Sequence, residues 1–143
     1  MSTLSNTDFM QRALAQGRKA LPGCRPNPPV GCVLVKDGQV ISEGFTQPPG
    51  QHHAEAMALS RLPANSHGVS AYVTLEPCSF HGRTPSCAQA LIRSGVKQVF
   101  VAMLDPDPRN SGAGIRMLQE AGIEVVVGLL EDQARKDLER YLL

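Results

Sequence analysis

Apolar positions along the chain change period several times, and each change marks an element. Phe9, Ala13, Leu14 and Gly17 recur at helical spacing, with Thr7 or Asp8 placed to cap them, so a helix is predicted that ends near Pro22-Gly23. Residues 1–6 before it are expected to be a mobile tail. Arg25-Pro26-Asn27-Pro28-Pro29 cannot be regular structure, and it delivers the chain into an apolar strand, Val30 to Lys36. Asp37-Gly38 predicts a tight hairpin turn, with Val40 to Thr46 returning antiparallel and both strands apolar enough to lie in the sheet core. A helix His53 to Leu62 follows the loop Gln47 to Gln51, and after the connection Pro63 to Gly68 comes a buried strand, Tyr72 to Leu75. A long loop leads to the helix Cys87 to Ser94, stopped by Gly95.

From there strand and helix alternate: strand Gln98 to Leu104, helix Gly114 to Ala121, strand Glu124 to Val127 and helix Asp132 to Tyr141. A helix between the last two strands makes them parallel, joined by a right-handed crossover. The expected fold is therefore α/β, a five-stranded mixed sheet with helices on both faces, and it contains no internal repeat.

Length and charge narrow the function classes. At 143 residues the chain is expected to be one domain spanning 1–143. Fourteen basic and thirteen acidic side chains leave a net charge of +1, so no overall field draws the protein to nucleic acid or to a membrane. The aromatics are four phenylalanines and two tyrosines, too few for a base-stacking surface. No apolar run reaches the length of a membrane span or forms a signal peptide, so a cytoplasmic protein acting on a small molecule is expected. Of the four cysteines, Cys32 is expected to pack as a small hydrophobe and Cys24 to lie exposed in the proline-rich loop.

The other two cysteines carry the chemistry. His53-Ala54-Glu55 at one helix start, Glu76-Pro77-Cys78 after a strand and Cys87 at the next helix start supply one imidazole and two thiolates, a donor set suited to Zn2+. Three protein ligands leave a tetrahedral position open, the arrangement in which zinc lowers the pKa of water to about 7. Glu55, two residues beyond His53, is then placed as the catalytic proton shuttle, while Glu76 is read as a carboxylate that holds the loop. His52 is a rival ligand that more naturally lines the loop, and His67 belongs to a surface connection. His81 and Arg83 sit on the metal loop itself as candidate substrate contacts, Arg83 suited to a phosphate or carboxylate. Gly112-x-Gly114 reads as a turn.

The His-x-Glu and Pro-Cys pieces, in this order, resemble the signature of the zinc-dependent base deaminases, except that eight residues separate the two cysteines. Thr74-Leu75-Glu76-Pro77-Cys78-Ser79 and Gly82-Arg83-Thr84-Pro85-Ser86-Cys87 resemble the deaminase domain of the bacterial riboflavin-biosynthesis deaminase/reductase. The resemblance runs from about Phe9 to Leu142 and includes Asn27-Pro28-Pro29-Val30-Gly31-Cys32 and Asp105-Pro106-Asp107-Pro108. It implies a three-layer cytidine deaminase-like fold and hydrolytic deamination of a diaminopyrimidinone with a phosphorylated ribosylamino arm. It also implies that Asn27 meets the base, that Arg83 lies near the phosphate, and that the protein assembles as a homodimer or homotetramer. Thr46, Phe80 and Asp107 fall at substrate-reading positions where that family usually has histidine, histidine and asparagine, and a carboxylate at Asp107 should disfavour a phosphate arm if it faces one. A separate reductase is the implied pathway partner. The alternatives are a deaminase of another pterin, purine or pyrimidine and, with less support, a nucleic-acid base deaminase or a non-catalytic zinc subunit.

Overall fold

The computed structural model describes residues 5–63, 66–79 and 86–142. Its first helix, α1 (Asn6–Arg18), starts earlier than the apolar spacing predicts because Ser5 is the cap: its hydroxyl accepts from the Asp8 amide at 3.2 Å while the Asp8 carboxylate accepts from the Ser5 amide at 2.9 Å. Asp8 is thus the third helical residue, neither Thr7 nor Asp8 is the cap, and Ser5 and Asn6 belong to the helix rather than to a tail.

Strands β1 (Gly31–Lys36) and β2 (Gln39–Phe45) pair antiparallel. Their connection is the expected two-residue turn, with Asp37 and Gly38 at φ +52° and +76°, the left-handed pair whose twist matches the flanking strands. Helix α2 (Ala54–Ser60), strand β3 (Ser70–Val73), helix α3 (Cys87–Arg93), strand β4 (Gln98–Val101), helix α4 (Ala113–Glu120), strand β5 (Glu124–Val127) and helix α5 (Glu131–Leu138) complete the order. The sheet runs β2-β1-β3-β4-β5, antiparallel from β2 to β3 and parallel from β3 to β5.

Side-chain alternation assigns the helices to faces. On one face Phe9 of α1 packs against Tyr72, whose ring stacks on Phe100 at 4.5 Å and whose hydroxyl donates to Asn6 Oδ1 at 2.6 Å. Helix α5 joins α1 through the Arg18–Asp137 ion pair at 3.0 Å. On the opposite face the Ser42 hydroxyl, beside Leu34 in the sheet, donates to the Ala58 carbonyl of α2 at 2.6 Å, and α3 and α4 continue that layer. Strands β1, β3 and β4 are covered on both sides, which explains their nearly unbroken apolar sequences. Strand β2 is an edge and only half-buried, so the expectation that both hairpin strands lie in the core holds for β1 alone.

Cys24 is a second correction. The segment after α1 folds back through successive turns and buries this thiol, whose sulfur lies 3.3 Å from the Asn27 carbonyl oxygen. Strands β3 and β4 end at Val73 and Val101, short of the expected Leu75 and Leu104. Residues 74–76 and 102–104 leave the regular ladder at the carboxyl end of the parallel strands, the rim where open α/β sheets carry their ligands. Among the described residues no helix is long and apolar enough to cross a membrane.

Candidate active site

Three elements converge on that rim. His53 is the residue at which α2 begins, its carbonyl accepting from the Met57 amide at 3.0 Å; Cys78 follows β3, and Cys87 is the first residue of α3. Their ligand atoms all lie within 4.8 Å of one another, with His53 Nδ1 3.3 Å from Cys87 Sγ. The Cys87 amide donates to Cys78 Sγ at 3.2 Å, and the Ala88 amide donates to the Cys78 carbonyl at 3.0 Å, so the start of α3 fixes both the sulfur and the backbone of the other cysteine.

The electrostatics suit a cation. Cys78 is pulled down to about 4, first because the Cys87 thiol donates to its sulfur and then by His53, against the opposing effect of burial. Cys87 is pushed up by the same shared proton and by burial, and His53 is raised by its contact with Cys78. Bond lengths of about 2.0–2.1 Å to nitrogen and 2.3 Å to sulfur place tetrahedral zinc ligands roughly 3.5–3.8 Å apart, so the observed spacing and the donor set both fit Zn2+.

Glu55, in the first turn of α2, is buried beside this cluster, and its pKa is pushed up to about 7, first by burial and then by the neighbouring Cys78 thiolate. Cys32, fully buried in β1, is raised by burial and by the charge of Glu55. The packing role expected for Cys32 therefore comes with a place close to Glu55.

Glu76 behaves differently. Its Oε1 accepts from the amides of Asp105 and Gly112, both at 3.0 Å, and its Oε2 from that of Ile115 at 3.2 Å, which joins the metal loop to the start of α4. These bonds agree with the reading of Glu76 as a loop-holding carboxylate. Gly114 permits the approach: a Cβ there would overlap the Pro77 carbonyl oxygen. Asn110, almost fully buried, spans Cys78 from both sides, accepting from the Ser79 amide at 3.0 Å and donating to the Pro77 carbonyl at 3.3 Å.

A cavity of about 1060 Å³ opens over the cluster, lined among others by Asn27, Thr46, His53, Glu55, Cys78, Cys87, Arg93, Asp105 and Arg109. Asn27, expected from the resemblance to meet the base, is among the residues that line this cavity. Thr46 also lines the cavity, but its hydroxyl is committed to the backbone, donating to the Pro28 carbonyl and accepting from the Val30 amide, both at 3.0 Å. Asp107 is absent from the lining and pairs instead with Arg109, Nη2 to Oδ2 at 2.6 Å. Phe80, His81 and Arg83 lie outside the described residues.

Sequence reasoning missed Arg109 and Asn110. The paired Asp-Pro steps before them were a usable signal, since Asp105 and Asp107 each accept from the amide two residues on, at 3.0 and 2.9 Å. Nothing local marked Asn110 as a clamp.

Residues 4–103 match the family described as the cytidine and deoxycytidylate deaminase zinc-binding region. The riboflavin biosynthesis protein RibD of Haemophilus influenzae is 54% identical over 128 residues, covering 90% of this chain and 34% of the relative. Among solved structures, RibD of Acinetobacter baumannii superposes with a TM-score of 0.91 at 48% identity, covering 95% of this chain and 38% of that one. A diaminohydroxyphosphoribosylaminopyrimidine deaminase/5-amino-6-(5-phosphoribosylamino)uracil reductase from Thermotoga maritima gives a TM-score of 0.88 at 43% identity, covering 94% of this chain and 39% of that one. The chain thus spans about a third of the length of the curated relatives it matches.

Proposed function

The chain belongs to the cytidine and deoxycytidylate deaminase zinc-binding family, and from that membership we propose that it hydrolyses the amino group of a diaminopyrimidinone carrying a phosphorylated ribosylamino arm, releasing ammonia. The substrate reading is supported by the Thermotoga maritima protein, whose description names that deamination, and by the RibD relatives at about half identity.

The observation that carries the activity is the position of Glu55, a buried carboxyl beside a His/Cys/Cys cluster on the wall of a large cavity. His53, Cys78 and Cys87 are assigned as the residues that hold the zinc, which when bound supplies Lewis-acid activation of water. Glu55 would relay both protons of the attacking water in turn, the first to the ring nitrogen and the second, from the hydroxyl then on the ring carbon, to the departing amine, so that water and the aminopyrimidine become the carbonyl product and ammonia. Asn27, on the cavity wall, is placed to hydrogen-bond the ring.

A second reading, another amino-heterocycle as substrate, is favoured by Thr46, whose hydroxyl is already engaged with Pro28 and Val30. One assay separates the two: ammonia release by the zinc-loaded protein from the diaminopyrimidinone phosphate, with Glu55→Gln as control. Release that the control abolishes supports the first reading, and no release from a protein holding one zinc per chain overturns it. The described residues share one sheet and one core, which supports a single deaminase unit. A cytoplasmic homo-oligomer acting beside a reductase completes the reading.

A further inference from the structure

Pro26, Pro28 and Pro29 have no N–H to offer a neighbouring strand, so the segment leading into β1 cannot be held by a sheet ladder. Its Asn27, Pro28 and Val30 nevertheless form a wall of the cavity that also holds Glu55. Two buried threonines secure that wall. Thr46 follows the last residue of β2 and Thr74 the last residue of β3, the two strands that flank β1. The Thr46 amide donates to the Val30 carbonyl at 3.0 Å, and its Oγ1 accepts from the Val30 amide at 3.0 Å. Thr74 repeats the pattern on Gly31, donating to its carbonyl and accepting from its amide, both at 3.1 Å.

Thr46 reaches one residue group further. Its hydroxyl donates to the Pro28 carbonyl at 3.0 Å, so one side chain ties the peptide after Pro28 to the peptide before Val30. From the other side the Asn27 amide donates to the Cys24 carbonyl at 2.9 Å, and the Cys24 thiol donates to the Asn27 carbonyl at 3.3 Å. The backbone on both sides of Asn27 is therefore fixed, while among the described residues its half-buried carboxamide has no hydrogen-bond partner. A carboxamide carries two donors and an acceptor, and hydrogen bonds weaken steeply as their angle departs from linear. Where that wall stands thus decides how well Asn27 can meet a ring.

Resting on the deaminase reading above, we propose that Thr46 is a positioning residue that acts through Asn27, holding Pro28 and Val30 so that the Asn27 carboxamide faces the substrate ring. The test is a double-mutant cycle on kcat/KM for ammonia release from the diaminopyrimidinone phosphate, each variant loaded to one zinc per chain. Thr46→Val removes the hydroxyl at nearly constant volume and should lower kcat/KM about 3- to 10-fold, as expected for a lost hydrogen bond. Thr46→Ser keeps the hydroxyl and should restore the parent value to within about 2-fold. Asn27→Ala should cost at least as much as Thr46→Val, and adding Thr46→Val to it should change kcat/KM by less than about 2-fold. A role confined to stability would instead lower the thermal midpoint and multiply the two losses. Thr46→Ala, which leaves space rather than a methyl group against the Pro28 carbonyl, repeats the cycle should the valine protein fail to fold. Equal losses from the Thr46 change with and without the Asn27 side chain overturn this proposal, as does an Asn27→Ala or Thr46→Val protein as active as the parent, and each leaves the deaminase reading standing. No ammonia from the parent protein overturns both.

Discussion

Replacing Glu55 with glutamine should make the metal-free protein more stable at pH 8 while destroying its activity. The reasoning starts from the burial of a carboxyl whose pKa is raised from 4.5 to about 7 in the folded protein. A raised acid pKa means that the folded state binds this proton more tightly than the unfolded chain does. Below about pH 4.5 both states hold the proton and there is no penalty; between 4.5 and 7 stability falls as pH rises, and above 7 the full penalty applies. At 1.36 kcal/mol per pKa unit, the shift corresponds to about 3 kcal/mol, an upper bound because glutamine forfeits hydrogen bonds that the carboxylate accepts. Cys78, held down to about 4, contributes a slope of opposite sign, but it is present in both proteins and largely cancels in their difference. Urea denaturation in the presence of a chelator at pH 5 and pH 8 measures that difference directly. The variant should lead by about 1–3 kcal/mol at pH 8 and by much less at pH 5, with ammonia release reduced roughly 100- to 10,000-fold. An equal gap at both pH values, or no gap at pH 8, would show that Glu55 is not a buried acid held against its charge.

Two further substitutions probe the frame around the metal. Asn110→Ala removes the clamp on both neighbours of Cys78 and should weaken zinc binding about 10- to 100-fold in a competition titration against a chromophoric chelator; unchanged zinc affinity would refute the clamp. Gly114→Ala drives a methyl group into the Pro77 carbonyl and should lower stability by about 1–3 kcal/mol, read by thermal unfolding. A Gly114→Ala protein as stable as the parent would show that α4 can back away from the metal loop at no cost.

What was legible in the sequence was legible for local reasons. The hairpin followed from Asp37-Gly38 because few residue pairs tolerate two successive left-handed conformations. The metal ligands followed from residue type and from their places at element starts, and the structure gathers the three within reach of one ion. The failures were competitions among equivalent local signals or consequences of tertiary packing. Ser5, Thr7 and Asp8 can each cap a helix, and the reciprocal pair between Ser5 and Asp8 decided which one does. Cys24 was expected in solvent because prolines surround it, yet the turns those prolines help to form fold the thiol inward. Asp107 reads from the sequence as a carboxylate at a substrate-reading position, and what spacing does not reveal is its pairing with Arg109, two residues further on. Asn110 acts on residues more than thirty positions away, a distance at which spacing carries no information.

Three carboxylates around this rim have the same chemistry and are separated by what surrounds each. Glu76 has both oxygens engaged by the backbone amides of Asp105, Gly112 and Ile115, so its side chain is committed to holding the loop against the start of α4. Asp107 is lowered by the hydrogen bonds it accepts from Arg109 and stays ionised. Glu55 is the carboxyl for which burial outweighs every favourable contact, and beside it lies a thiolate that makes its ionisation harder still. A carboxyl left in such a setting suits the proton-carrying role proposed for Glu55, whereas the oxygens of Glu76 are already committed to backbone amides. The assignment of Glu55 as the catalytic carboxylate therefore rests on environment as well as on its offset from His53, and the pH-dependent stability of the glutamine variant tests that environment without any substrate.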